Sequence, residues 1–276
     1  TTFTTAADDG ASPANTDIID FEVATTVKTS GDNISFVGGG ISAAANGANI
    51  TITNGGTGTV TLTDITVTSE EEIDITGATI SAQKIGTATL EAGVVKLTGA
   101  ITLNDDIYTD NVTATTGDVT LSGAVSLADN ITIDTSDGDG LVKFTSTVDS
   151  ATDTAKGLTI LSGDGTVTID GKIGAGNSGA DALELAALSI NASDSTVNTG
   201  DIELFDIGDA ASVGTTTVTV GNTGTTTITL DGIYYRPGGT TKFTSVAGDK
   251  IKITRPAGSG DVDFVMAGNS LEFATG

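Results

Sequence analysis

Cysteine, histidine and tryptophan are missing from all 276 residues. Without cysteine there is no disulfide, no thiol nucleophile and no thiolate metal site. Without histidine the commonest general base and metal ligand is gone. Basic residues are scarce, with 11 Lys and Arg against 36 Asp and Glu and a formal charge of −25. Phosphate backbones are gripped by clustered Lys and Arg, so nucleic acid is not an expected partner. No apolar run approaches the roughly 18 residues of a membrane span, and membrane insertion is not expected. Aromatic residues make up only 4%, too few for an ordinary globular core of this length.

What fills the chain is glycine, threonine and short apolar alternation. Residues 93–116 and 117–140 read as two copies of one unit, 24 positions apart. Val95, Leu97, Gly99, Ile101 and Leu103 in the first answer to Val119, Leu121, Gly123, Val125 and Leu127 in the second. Further copies run through Val142, Phe144 and Val148, and through Val167, Ile169 and Ile173. A period of two buries one face of a strand and wets the other. A repeat of 20–30 residues built from such strands is the mark of a solenoid. The expected fold is therefore all-β, a parallel β-helix, with Leu97 stacked on Leu121 and Gly99 with Gly123 at a corner. An antiparallel pilin-type sandwich with strand exchange is the competing arrangement. The span from Asp181 through Leu183, Leu185 and Leu188 has helix-forming composition. It reads either as a helical turn capped by Asp181 or as a wide rung ending in strand.

The prolines, at 13, 237 and 256, and most phenylalanines lie near the two ends. The expected organisation is an arm over residues 1–15, a solenoid body over 16–235, and a basic cap or assembly segment over 236–276.

The units GDVTLSGAVSLADNITIDTSDGDG and GLVKFTSTVDSATDTAKGLTILSGDG resemble the repeats of large secreted bacterial adhesins of the filamentous-haemagglutinin type. The resemblance covers about residues 90–235. It implies a right-handed parallel β-helix on the cell exterior, working as a rod, stalk or adhesive surface. The start at Thr-Thr-Phe without Met fits a mature chain after signal-peptide removal.

Candidate sites are few. Asp134, Asp137, Asp139 and Asp164 supply carboxylates at close spacing for calcium, the one cofactor candidate, although the EF-hand pattern is missing. Turns also favour Asp for local hydrogen bonding. No catalytic constellation stands out, so an enzyme is not expected, and a polysaccharide lyase or hydrolase is the least favoured reading. Five Asn-x-Ser/Thr sequons, at Asn33, Asn49, Asn111, Asn130 and Asn191, are expected by chance in so Thr-rich a chain. Charge is more informative. Arg236, Lys242, Lys250, Lys252 and Arg255, with Asp249 the only acid among them, put +4 into twenty positions against −29 elsewhere. With Phe3, Phe21, Tyr234 and Tyr235 they form an expected assembly interface, whose acidic counterpart is Asp8, Asp9, Glu70, Glu71 and Glu72. The expected role is a structural subunit of an extracellular filament, sheath or surface layer, polymerising with itself head to tail. A carbohydrate- or surface-binding adhesin module, with glycan partners, is the alternative.

Overall fold

Alternating Val, Ile and Thr produce an all-β chain. The computed structural model describes residues 1–4, 18–43, 47–68, 71–110, 117–152, 154–174, 183–192, 200–208, 215–221, 225–245, 250–254, 256, 260–265 and 270–275. Among these there is no helix, and every strand ladder is parallel. The antiparallel sandwich is thereby overturned. Each turn of the coil lays one strand, or a single bridging residue, on each of three faces.

The first face stacks Thr25–Thr29, Ile50–Asn54, residues 73–76, residues 95–98, Val119–Ser122, Val142–Phe144, Val167–Ile169, Asp201–Leu204, Thr227–Leu230 and Lys250–Ile253. The second begins at Thr2–Thr4 and Ile34–Val37. It passes Thr59–Thr61, residues 79–82 and residues 101–103, then Val125–Leu127 and Val148–Ser150. Single residues Ile173 and Ile207 carry it on to Tyr234–Tyr235 and Asp263–Phe264. The third runs from Ile19–Phe21 through Ile41–Ala43, Ile65–Val67, Ile85, Ile107–Tyr108 and Ile131–Asp134. It continues through Gly157–Leu161, Leu185–Asn191, Thr215–Val220 and Thr241–Ser245 to Leu271–Thr275.

The predicted register holds: Leu97 pairs with Leu121 and Ile101 with Val125. Inward columns such as Ile73, Val95, Val119, Val142 and Val167 are fully buried, each worth about 1.5–3 kcal/mol before ordering entropy is charged against it. The corner between first and second faces is set by Gly99 at φ +144° and Gly123 at φ +133°. A Cβ at Gly99 would collide with the carbonyl oxygen of Gly77, and one at Gly123 with that of Gly99. Glycine is there both for its dihedral and for the closeness of the turn beneath.

The Leu183–Leu188 stretch resolves in favour of the wide rung, its strand covering Leu185–Asn191. Parallel pairing with Gly157–Leu161 and Thr215–Val220 overrides its helical composition. Asp181 lies outside the described residues. The segment from 236 onward is built of further rungs: Thr241–Ser245, Lys250–Ile253, Asp263–Phe264 and Leu271–Thr275 continue the same three ladders.

Candidate functional site

Two kinds of place depart from the plain stack: the corners, where the acids collect, and the ends. At the corners an Asn or Asp stands immediately before the first inward residue of a strand, as in Asn33-Ile34, Asn49-Ile50, Asp106-Ile107, Asp118-Val119, Asn130-Ile131 and Asp201-Ile202. Its side-chain oxygen accepts the N–H of the residue stacked one turn later. Asn33 takes Thr59 at 2.9 Å, Asn49 takes Glu72 at 3.0 Å and Asp106 takes Thr132 at 2.7 Å. Asp118 takes Leu141 at 2.9 Å, Asn130 takes Gly157 at 2.8 Å and Asp201 takes Thr227 at 3.0 Å. Buried Asp206 accepts two, from Ile233 at 2.5 Å and Tyr234 at 2.8 Å. Much of the acidic character is thus structural, satisfying backbone donors that the corner would otherwise leave unpaired. Local turn bonding was the expectation. The recurring Asx–Ile/Val pair was the signal for this longer reach, which joins one turn to the next.

The candidate calcium residues follow the same logic. Asp139 accepts the N–H of Asp164 at 2.7 Å, and Asp134 accepts both the N–H of Ser136 at 3.1 Å and its hydroxyl at 2.6 Å. Among the described residues no group of three or more carboxylates is placed to hold a metal ion. The corner is nonetheless strongly anionic. Partial burial, reinforced by Asp137, Asp110 and Asp134, pushes the Glu91 carboxyl up to about 7.

The basic segment is less free than its sequence implies. Arg236 pairs with Asp263 at 2.8 Å and Lys242 with Glu272 at 3.3 Å, each partner lying on the next rung. Tyr235 is a core residue, a correction to its expected place at an interface. Its ring stacks on Phe264 at 4.9 Å, and its hydroxyl accepts the Gly232 N–H at 2.7 Å. Burial raises that hydroxyl's pKa well above the usual tyrosine range. Tyr234 stays half-buried with the Arg236 guanidinium 5.6 Å from its ring centroid. Lys250 and Lys252 are exposed on the last rung of the first face. Arg255 lies outside the described residues.

The acidic counterpart needs the same correction. Glu71 is buried and accepts the Thr68 N–H at 3.2 Å, and Glu72 bonds Lys96 at 2.7 Å. Both sit within the stack rather than at its end, because residues 73–76 form an interior rung. Asp8, Asp9, Glu70 and Asn111 lie outside the described residues. The exposed acids on the first turns are Asp20, Glu22 and Asp32, with exposed Lys28 among them.

At the two ends the inward columns run out. Among the described residues Thr2–Thr4, Ile19–Phe21 and Thr25–Thr29 are each paired along one edge only. So are Lys250–Ile253, Asp263–Phe264 and Leu271–Thr275. Phe3 stacks on buried Phe36 at 4.9 Å, and Phe21 is a half-buried neighbour of the core. Phe273 stacks on Phe243 at 5.6 Å yet is 45% exposed, and Ile253 is 47% exposed. Val23, at 69%, and Ile18 are bare at the opposite end.

Among the described residues a shallow cavity opens on the side of the stack. About 250 Å³ in volume, it is lined by Ile169, Asp170, Glu203, Phe205 and Asp231. Lys143 reaches Asp170 at 3.2 Å and the Thr254 hydroxyl donates to Asp231 at 2.6 Å.

No family model, curated protein or solved structure matches the chain. The likeness to haemagglutinin-type repeats therefore rests on the repeat pattern itself. No helix among the described residues is long and apolar enough to cross a membrane.

Proposed function

We propose that this chain is a structural subunit of an extracellular filament, sheath or surface layer, whose copies meet head to tail through their end turns. The observation that carries this reading is the pair of open ends. Among the described residues the strands of each end turn are paired along one edge only, and apolar side chains such as Val23, Ile253 and Phe273 reach solvent beside them. An open parallel edge is a template for another strand. A heterologous contact between unlike ends propagates into a filament unless the rotation closes it. One end carries exposed Asp20, Glu22 and Asp32 with Lys28, and the other Lys250 and Lys252 with Asp261 and the Lys242–Glu272 pair. The small excess of opposite sign at the two ends favours unlike ends meeting over like ones. Corner acids committed to backbone N–H groups suit a scaffold more than a reaction centre.

Electron microscopy and sedimentation of the purified chain test this. Rods longer than one copy, assembling with concentration, are expected. A monodisperse single copy at every salt and calcium concentration would overturn the proposal.

The Phe205 cavity favours a second reading, an adhesive surface for saccharide. An aromatic face beside carboxylates suits the alternating apolar and hydroxyl faces of a sugar ring. A glycan array on the purified chain, with F205A as control, is the test: retention lost with Phe205 supports it, and no retention ends it.

A further inference from the structure

Of the eight phenylalanines, all but Phe205 serve the core or stack on a ring that does. Phe36, Phe144 and Phe243 are fully buried, Phe3, Phe21 and Phe264 pack against the core, and Phe273 stacks on Phe243. Phe205 is half-buried outside that cluster, at the corner that follows the first face, and among the described residues it joins no aromatic pair. Backbone bonds fix the column in which it stands. The Phe205 N–H donates to the Ile169 carbonyl at 3.0 Å, the Asp231 N–H to that of Leu204 at 2.9 Å and the Thr254 N–H to that of Leu230 at 2.8 Å. Asp170, Phe205 and Asp231 therefore follow one another on successive rungs, about 4.8 Å apart along the backbone. A large apolar side chain in a surface column otherwise filled by Asp and Thr is not explained by packing.

The charges around the ring are not equally committed. Lys143 pairs with Asp170 at 3.2 Å, and Asp231 accepts the Thr254 hydroxyl at 2.6 Å. Glu203 lines the same cavity, is exposed and, among the described residues, has no ion-pair partner. On the first face it stands midway between Lys143 and Lys252, with Thr168 and Thr229 on the rungs between. Asp170 and Lys143 cancel, so Glu203 and Asp231 leave the lining at −2. No three of the described carboxylates are placed to hold a metal ion, so an organic cation suits the cavity better than a metal. At about 250 Å³ it is smaller than the roughly 300–1,000 Å³ of sites that enclose a drug-sized molecule. It has room for one ring of a longer ligand.

We propose that this cavity selects a sugar carrying a free amine, a hexosamine unit of a longer glycan, over neutral and N-acetylated sugars. The inference rests on the saccharide reading of the cavity and names the class of sugar. The apolar C–H face of the sugar covers Phe205, Glu203 holds the ammonium, and ring hydroxyls donate to Asp170 and Asp231. A neutral sugar leaves the Glu203 charge without a partner. An N-acetyl group removes the cation and adds bulk.

Calorimetric titration of the purified chain in mildly acidic buffer, where the sugar amine is protonated, tests this. The titrants are tetramers of glucosamine, N-acetylglucosamine and glucose, with tetralysine beside them. The glucosamine tetramer is expected to bind about tenfold more tightly than the other sugars, and E203Q, at an exposed position, to remove that advantage. F205A is expected to weaken the glucosamine tetramer about fivefold, and D74N, which removes a carboxylate from a distant rung of the same face, to change nothing. Added salt should narrow the preference. Equal affinity for amine and neutral sugars, or a preference untouched by E203Q, overturns the selection and leaves the saccharide reading standing. Tetralysine bound as tightly as the glucosamine tetramer, with F205A altering neither, assigns the attraction to the overall charge of −25 and overturns it as well. Retention of no glycan on an array removes the saccharide reading itself.

Discussion

The turns built from residues 93–140 and the turns at either end are made of the same kind of strand, yet they face different surroundings. In the middle Leu97 and Leu121 each have a turn above and a turn below, and neither is exposed. At the end Ile253 and Phe273 occupy equivalent inward columns and are nearly half exposed. An apolar residue in a solenoid is buried by its neighbours along the axis, so burial belongs to the stack rather than to the residue. The middle is covered on both sides, whereas the end turns leave apolar columns exposed.

Four substitutions break or sharpen that contrast. The largest effect is expected from Gly123→Val, which forces a β-branched side chain into positive φ and against the Gly99 carbonyl. A loss of about 3–5 kcal/mol should show as a lower denaturant midpoint, with the end turns themselves untouched. A midpoint within error of the parent would refute the corner argument. Asp206→Ala comes next, leaving the N–H groups of Ile233 and Tyr234 without their acceptor. About 2–4 kcal/mol should be lost, against less than about 0.5 kcal/mol for an exposed acid such as Glu22→Ala. Equal effects would mean that corner acids are ordinary surface charge.

Phe273→Asp inverts the pattern: about 1 kcal/mol or less in unfolding, but a loss of assembly beyond tenfold by sedimentation, because the change falls where a second copy would sit. Unchanged assembly would detach this column from the interface. The smallest effect is expected from Glu91→Gln. The folded-state pKa of Glu91 stands at about 7, above its usual 4.5. The folded state therefore holds this proton more tightly than the unfolded chain does. The ionised carboxylate is a penalty above pH 7, and that penalty fades as pH falls through 7 toward 4.5. Because the side chain is only partly buried, solvent screening reduces the cost. The variant should melt about 2 °C higher at pH 8 and alike at pH 4. A difference independent of pH would count against a raised Glu91 pKa altogether, with burial and the neighbouring Asp137, Asp110 and Asp134 as its causes.

The corner acids show how legibility varied. The Asx–Ile and Asx–Val pairs were visible in the sequence, but each acceptor bond spans a whole turn, as from Asp106 to Thr132 or Asp118 to Leu141. Turn length varies, so no fixed spacing announces the donor. The same holds for Arg236 with Asp263 and Lys242 with Glu272, whose pairing neutralises charges that a linear count treats as free.

The sequence by itself determined the strand period and, given a parallel stack, the register of Leu97 on Leu121. The tertiary structure decided the parallel stack over the antiparallel sandwich. The sequence also placed the glycine corner, because alternation and Cβ sterics act within a few residues and repeat. Only the tertiary structure decided that Glu71 and Tyr235 are buried, that residues 185–191 extend as a strand, and which N–H each Asn or Asp receives. These depend on which residue lies one turn away, a distance set by the lengths of the corners rather than by any local preference of the chain.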